Sequence, residues 1–194
     1  MSSQPVTKRL FIGIPFVPEP SFSDKCLRLR RCTTKTDKAV WVEPSLYHMT
    51  LKFLGETDER RIPEICQALA MVTAHYNAFQ FQLDKIGAFG SRYCPRALWI
   101  GAKNTPGELL HMHKELDRAL ARAGFPPDFG NFVCHMTLAR IKRILNKAYF
   151  WKQVDACGEL FSEQVDVREV LLYDSVRLKN GPPQYLVCAR FPLG

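Results

Sequence analysis

The sequence predicts an α+β fold, one domain over residues 1–194 made of two similar lobes. Three observations carry the prediction. Segments rich in β-formers alternate with segments whose apolar residues recur at helical spacing. The 194 residues are 46% hydrophobic, enough to bury one substantial core. And a tetrapeptide, His48-Met49-Thr50-Leu51, returns as His135-Met136-Thr137-Leu138, so that each half carries one copy.

Residues 8–15, KRLFIGIP, are β-rich and stop at Pro15, which reads as a first strand. A basic helix is expected over 20–33, then a pair of short strands at 39–44 and 47–54. In the second of these Met49, Leu51 and Phe53 alternate with His48, Thr50 and Lys52. The apolar set therefore faces a core, and His48 and Thr50 share the opposite face. Ile62, Ile65, Cys66, Leu69 and Tyr76 keep helical spacing through 60–76, with Pro63 tolerated in the first turn. Strands follow at 78–86 and 96–103. Thr105-Pro106-Gly107-Glu108 reads as a capping box with Pro at the first helical position. The helix it opens runs along Leu109, His113, Leu116 and Leu120 until Gly124 stops it. Over 132–139, Met136 and Leu138 turn inward while His135 and Thr137 point together the other way. A helix over 147–156, a strand over 167–178, a turn at 179–183 and a last strand at 184–192 complete the chain.

No apolar run reaches the ~18–20 residues of a membrane span, and the first sixteen residues lack the apolar stretch and cleavage site of a secretory signal. A cytoplasmic monomer, off the membrane and without an obligatory protein partner, is expected. The 7 cysteines are odd in number, scattered and free of any Cys-x-x-Cys pair, against both a disulfide framework and a zinc site. A formal charge of +8 and a pI near 9.2 favour an anionic partner. Basic residues gather at Lys25, Arg28, Arg30, Arg31, Lys35 and Lys38, and again at Arg140, Lys142, Arg143 and Lys147, directly after the second copy of the repeat. A solvated face serving solubility is the plainer account of the first group.

Two imidazoles facing each other across a cleft supply the two proton transfers of phosphodiester cleavage. One neutral His takes a proton from the attacking oxygen, and one protonated His gives a proton to the leaving oxygen. Each Thr, two residues along on the same face, can donate a hydroxyl to a non-bridging phosphate oxygen, and Arg140 is the nearest cation for the charge that builds there. Other readings stay open: a metal held by the two His, a Cys–His nucleophile using Cys134, and His residues that only serve the sheet. His113 falls on an apolar helical stripe and reads as a core or boundary residue.

The paired His-x-Thr-hydrophobic motifs, with "RLFIGIPF" at the start, "LKFLGE" after the first motif, "LAR" after the second and "YLVCARFPL" at the end, resemble the two-histidine (2H) phosphoesterases. Among these the likeness is to the bacterial RNA 2′,3′-cyclic phosphodiesterases once described as 2′-5′ RNA ligases. The resemblance implies a bilobal, pseudo-symmetric fold of two antiparallel sheets flanked by helices with a central cleft, no metal or other cofactor, and RNA ends or small cyclic nucleotides as substrates. The implied reaction opens a 2′,3′-cyclic phosphate to a 2′-phosphate. By motif position His48 is implied as general acid, His135 as general base, and Thr50, Thr137 and Arg140 as phosphate ligands. Strict alternation places Arg140 on the Met136/Leu138 face, so its carry-over requires a bulge, a twist or an end to the strand after Leu138. The reverse reaction, 2′-5′ ligation, and a non-catalytic RNA-binding module are the alternatives.

Overall fold

A computed structural model of the chain describes residues 6–158, 161–179 and 181–194. The elements run β1 (Thr7–Pro15), α1 (Pro20–Leu29), β2 (Lys38–Trp41), β3 (His48–Asp58), α2 (Ile62–Thr73), β4 (Phe79–Leu83), β5 (Lys85–Gly90), β6 (Pro95–Gly101), α3 (Gly107–Arg122), β7 (His135–Arg143), α4 (Lys147–Gly158), β8 (Glu163–Val167), β9 (Glu169–Val176) and β10 (Gln184–Pro192). Among the described residues these make two antiparallel sheets of unequal size. The large one has the order β10-β9-β1-β3-β7-β6-β5, with β2 added to β7; the small one is β4-β8. The architecture is the α+β one expected, and both repeated motifs lie in the large sheet. No helix of the described residues is long and apolar enough to cross a membrane.

One face of the large sheet packs on the helices. Leu10, Ile12, Met49, Leu98, Met136 and Leu138 from the strands meet Leu69 of α2, Leu116 of α3 and Phe150 of α4 in one core. Each of these side chains is withdrawn from water almost completely, and burial of this kind stabilises the fold by about 1.5–3 kcal/mol per large side chain. The other face carries a separate small cluster of Phe11, Leu171 and Tyr173, with Tyr185 against it. The site lies on that second face.

Several local expectations change. The strand at 38–41 pairs with β7, not with the strand after it, because β3 meets β7 at Met49–Met136 alone and leaves the same edge of β7 open to β2 from Ala139 to Arg143, the chain passing between them through a short 3₁₀ turn at Pro44–Leu46. β5 and β8 are additional strands; both are short and lie one residue from a neighbouring strand, so periodicity merges them with their neighbours. Pro106 is extended and stands at the N-cap of α3, not inside the helix, so Thr105 lies one residue too far back and no side chain caps this end. Pro63 does fall in the first turn of α2, and Gly124, with φ +83, ends α3 where only a residue without Cβ sits comfortably. The turn expected at 179–183 lies partly outside the described residues.

Candidate active site

β3 and β7 run antiparallel and pair at one position, Met49 opposite Met136, with both side chains buried on the core face. One residue to either side, the antiparallel sense sets Thr137 across from His48 and Thr50 across from His135. All four polar side chains therefore meet on the face away from the core. The two imidazoles are held alike. His48 Nδ1 lies 2.8 Å from the Leu46 carbonyl and His135 Nδ1 lies 2.8 Å from the Val133 carbonyl. A carbonyl can only accept, so each Nδ1 carries a proton and donates it, which leaves each Nε2 free for proton transfer at the cleft.

A β-bulge then re-aims the strand after each motif. Along β3, Ile12 pairs Lys52 and Gly13 pairs Thr50, so Leu51 has no opposite number. Along β7, Leu98 pairs Ala139 and Trp99 pairs Thr137, which skips Leu138. The alternation reverses after each skip: Ala139 is buried and Arg140 exposed, Lys52 is buried and Phe53 exposed. Arg140 thereby joins the face of His135 and Thr137, and the bulge removes the conflict that unbroken alternation creates. Phe53, expected in the core, is 65% exposed and holds in the first motif the place that Arg140 holds in the second. One lobe offers a cation and the other a flat apolar ring.

The surroundings of the two histidines differ. His48 packs against Phe11, with ring centroids 4.8 Å apart, and meets Tyr185 edge-on at 5.0 Å. Beside them Gly13 lets β1 and β3 approach closely, since a Cβ there would stand 2.8 Å from the Met49 carbonyl oxygen. Burial pushes the Tyr185 phenol up, against the opposing pull of the nearby Arg140 charge, which places the guanidinium beside the wall of His48. His135 meets Phe89 edge-on at 4.7 Å and lies near Trp99. The Trp99 indole covers Gly87, where a Cβ would collide with the ring at 2.2 Å. Burial lowers the pKa of both imidazoles; at His48 the Arg140 charge and the second imidazole lower it further, against the pull of the Leu46 carbonyl. Empty, the site holds both rings below the ordinary histidine value, and an arriving phosphate anion favours their protonation.

A pocket of about 270 Å³ opens here, lined by Thr50, Phe53, Phe89, His113, Phe129 and His135 among others. Its far wall is the loop after α3, which is pinned from below. Lys52, turned inward by the bulge, donates to Asp117 at 2.6 Å, to Asp128 at 3.0 Å and to the Pro126 carbonyl at 3.0 Å. His113 stacks on Phe132 with centroids 4.2 Å apart and has Nε2 3.5 Å from Asp128. It is thus a wall of the pocket as well as a member of the helical stripe. Cys134 points to the core beside Met49, and burial pushes its thiol up to about 12, so it is no nucleophile for this cleft. All seven cysteines are free. Among the described residues no group of three His, Cys, Asp or Glu is placed to hold a metal ion.

Sequence reasoning named the two His, the two Thr and Arg140, and the fold brings these onto one face. It missed Phe11, Phe53, Phe89, Trp99, Tyr173 and Tyr185. The signal available for Tyr185 and Phe11 was alternation in the last and first strands, where an aromatic falls on the face opposite the core set.

The description LigT like Phosphoesterase belongs to a family whose model matches this chain twice, over residues 17–99 and 100–183, so that each match contains one His-x-Thr motif. An RNA 2′,3′-cyclic phosphodiesterase of Aeropyrum pernix is 34% identical over 141 residues, 73% of this chain and 79% of that protein. One of Aquifex aeolicus is 30% identical over 191 residues, 96% of this chain and 97% of its own. Among solved structures, LigT of E. coli complexed with 3′-AMP shares the fold with a TM-score of 0.70 at 22% identity, covering 97% of this chain and 99% of that one.

Proposed function

This chain belongs to the LigT-like phosphoesterases, and we propose that it hydrolyses the 2′,3′-cyclic phosphate ends of RNA to 2′-phosphates. The observation that carries the reading is the pair of imidazoles on one face, each with Nδ1 occupied by a backbone carbonyl and Nε2 free, crossed by two Thr hydroxyls. His135 takes the proton of a water that attacks phosphorus in line with the 3′ oxygen. His48 gives a proton to that departing oxygen. The P–O3′ bond breaks, a P–O bond to the water oxygen forms, and the phosphate stays on O2′. Thr50 and Thr137 donate to the non-bridging oxygens, and Arg140 balances the added negative charge of the transition state.

The reading extends to the cytoplasm and to a single chain as the working unit, since both imidazoles come from one copy. RNA ends and small cyclic nucleotides both present the required group. Ligation to a 2′-5′ bond is the same proton traffic run backwards, and it takes over if joined product accumulates from a cyclic end and a 5′-hydroxyl end.

The test is an oligonucleotide with a 2′,3′-cyclic phosphate, incubated with protein and excess chelator. A 2′-phosphate product should form at an undiminished rate, because the charges required come from His and Arg. Loss of turnover that a divalent ion restores would move the assignment to a metal mechanism.

A further inference from the structure

The face that carries the site does not end at Arg140. Two residues on along β7 stands Lys142, exposed, then Arg143, and β2 brings Lys38 opposite Arg143. The pairing of β2 with β7 thus adds Lys38 of the first basic group to the second, in one strip. Asp37 is the carboxylate beside it, and its oxygens already accept from the Thr34 N–H, the Thr34 hydroxyl and the Leu145 N–H. Among the described residues Lys38, Arg140, Lys142, Arg143, Lys147 and Lys152 have no carboxylate within 4.0 Å, whereas Lys8, Lys25, Lys52 and Arg190 elsewhere are paired.

The strip leads to a groove. β6 runs antiparallel to β7, so the tip of the β5–β6 hairpin, residues 91–94, lies past the end of β7, where α4 begins. Hairpin tip and helix enclose about 600 Å³, lined by Arg92, Tyr93, Lys147, Trp151, Lys152 and Asp155. The walls are fastened to each other: the Trp151 indole N–H donates to the Arg92 carbonyl at 2.9 Å, and the Arg92 guanidinium lies 5.1 Å from the Trp151 ring centre and 3.6 Å from Asp155. Tyr93 is left out of this arrangement and is 85% exposed over the opening. An exposed aromatic face flanked by two lysines that have no carboxylate partner among the described residues is the combination that binds a stacked base and its phosphates.

We propose that this groove is a second binding site, which takes a nucleotide from the body of a single-stranded RNA whose cyclic end occupies the His48/His135 site. The proposal rests on the cyclic phosphodiesterase reading and deepens it to polynucleotide ends. The six residue-to-residue steps from Thr137 to Arg143 span about 20 Å of strand, several nucleotides from the cyclic phosphate. Because that phosphate is a 3′ terminus, the strand leaves 5′-ward along the strip, with phosphates on Lys142 and Lys147 and a base on Tyr93.

The experiment compares kcat/KM for a 2′,3′-cyclic mononucleotide and for a hexanucleotide ending in the same nucleotide. The hexamer should be favoured by about tenfold or more, the size of one base stack. Tyr93→Ala, and separately Lys147→Glu with Lys152→Glu, should bring the hexamer down toward the mononucleotide value while leaving mononucleotide turnover unchanged, which also reports that the variants fold. With the two lysines replaced, the salt dependence of the hexamer should become shallower by a slope of about 0.7 for each phosphate no longer neutralised. Equal kcat/KM for both substrates in the wild type, or variants that depress both alike, would overturn the groove and leave the reaction assigned. Turnover of neither substrate would overturn the reaction itself.

Discussion

At His48 and His135 one local device is used twice: a carbonyl two residues back fixes Nδ1, and the ring is presented by Nε2. What differs is the company. His48 faces the Arg140 guanidinium and the second imidazole, and both lower its proton affinity. We propose His48 as the acid and His135 as the base from their motif positions. An acid matters only when its leaving group is basic. Replacing the 3′ oxygen of the cyclic substrate by sulfur turns the leaving group into a thiol of pKa about 8.5, for which protonation is nearly dispensable. His48→Ala and His135→Ala should each cost ~10²–10⁴-fold in kcat on the oxygen substrate, and the sulfur substrate should restore only His48→Ala. Restoration of His135→Ala instead would exchange the roles. At this scale the sequence was readable where two residues apart on a strand means the same face, as with His48 and Thr50. Alternation gave the wrong face for Phe53 and could only pose the conflict at Arg140, because a bulge is a property of two strands in register and leaves no mark on one.

The element that does most to shape the cleft is the bulge in β3. By turning Lys52 inward it sets a cation with 2% side-chain exposure beneath the loop after α3, where Asp117 and Asp128 meet it. Burial pushes the Asp117 carboxyl up, but the Lys52 ammonium and the Asp128 N–H outweigh this and hold it below the usual carboxylate range. The equivalent position in β7 is Ala139, so the strut exists in one lobe only. Through it β3 fixes the loop that ends in Val133, whose carbonyl orients His135 on the other lobe. Removing the cation alone leaves two carboxylates without it. Lys52→Met should therefore lower the unfolding free energy by about 3–5 kcal/mol in urea titrations, and adding Asp117→Asn and Asp128→Asn should recover much of the loss. A single variant as stable as the wild type would show that the strut carries no weight. None of this was legible in the alternation of LKFLGE, which puts Lys52 on the water side, whereas α2 and α3 were foreseen from apolar stripes, which need no partner to be recognised.

Across the whole molecule the two halves come together as the repeat implies. The family matches twice, once per motif, and the strands that carry the motifs share one bridging pair, Met49 and Met136. The sequence could place a His-x-Thr strand in each half, but the pairing of β2 with β7 and the joining of both halves in a single large sheet depend on long-range pairing that local pattern does not encode. That assembly buries or half-buries three titratable rings together. His48, His113 and His135 all have pKa values lowered chiefly by burial, while in the unfolded chain each returns to the ordinary value near 6.5. Below that pH the unfolded state binds more protons than the folded one, so stability is fully present above about pH 6.5 and is lost as pH falls. Each ring adds a slope of at most about 1.4 kcal/mol per pH unit. The carboxylates held low, Asp37, Asp58 and Asp117, act in the same direction only further down, nearer their ordinary value of 3.8. Urea midpoints measured from pH 7.5 to 5 should accordingly fall well before the carboxylate range is reached, and His113→Leu should flatten the fall while keeping His48 and His135. A midpoint constant over that interval would mean that the rings keep access to water in the folded protein, and the account of the cleft as a partly dehydrated site would fail with it.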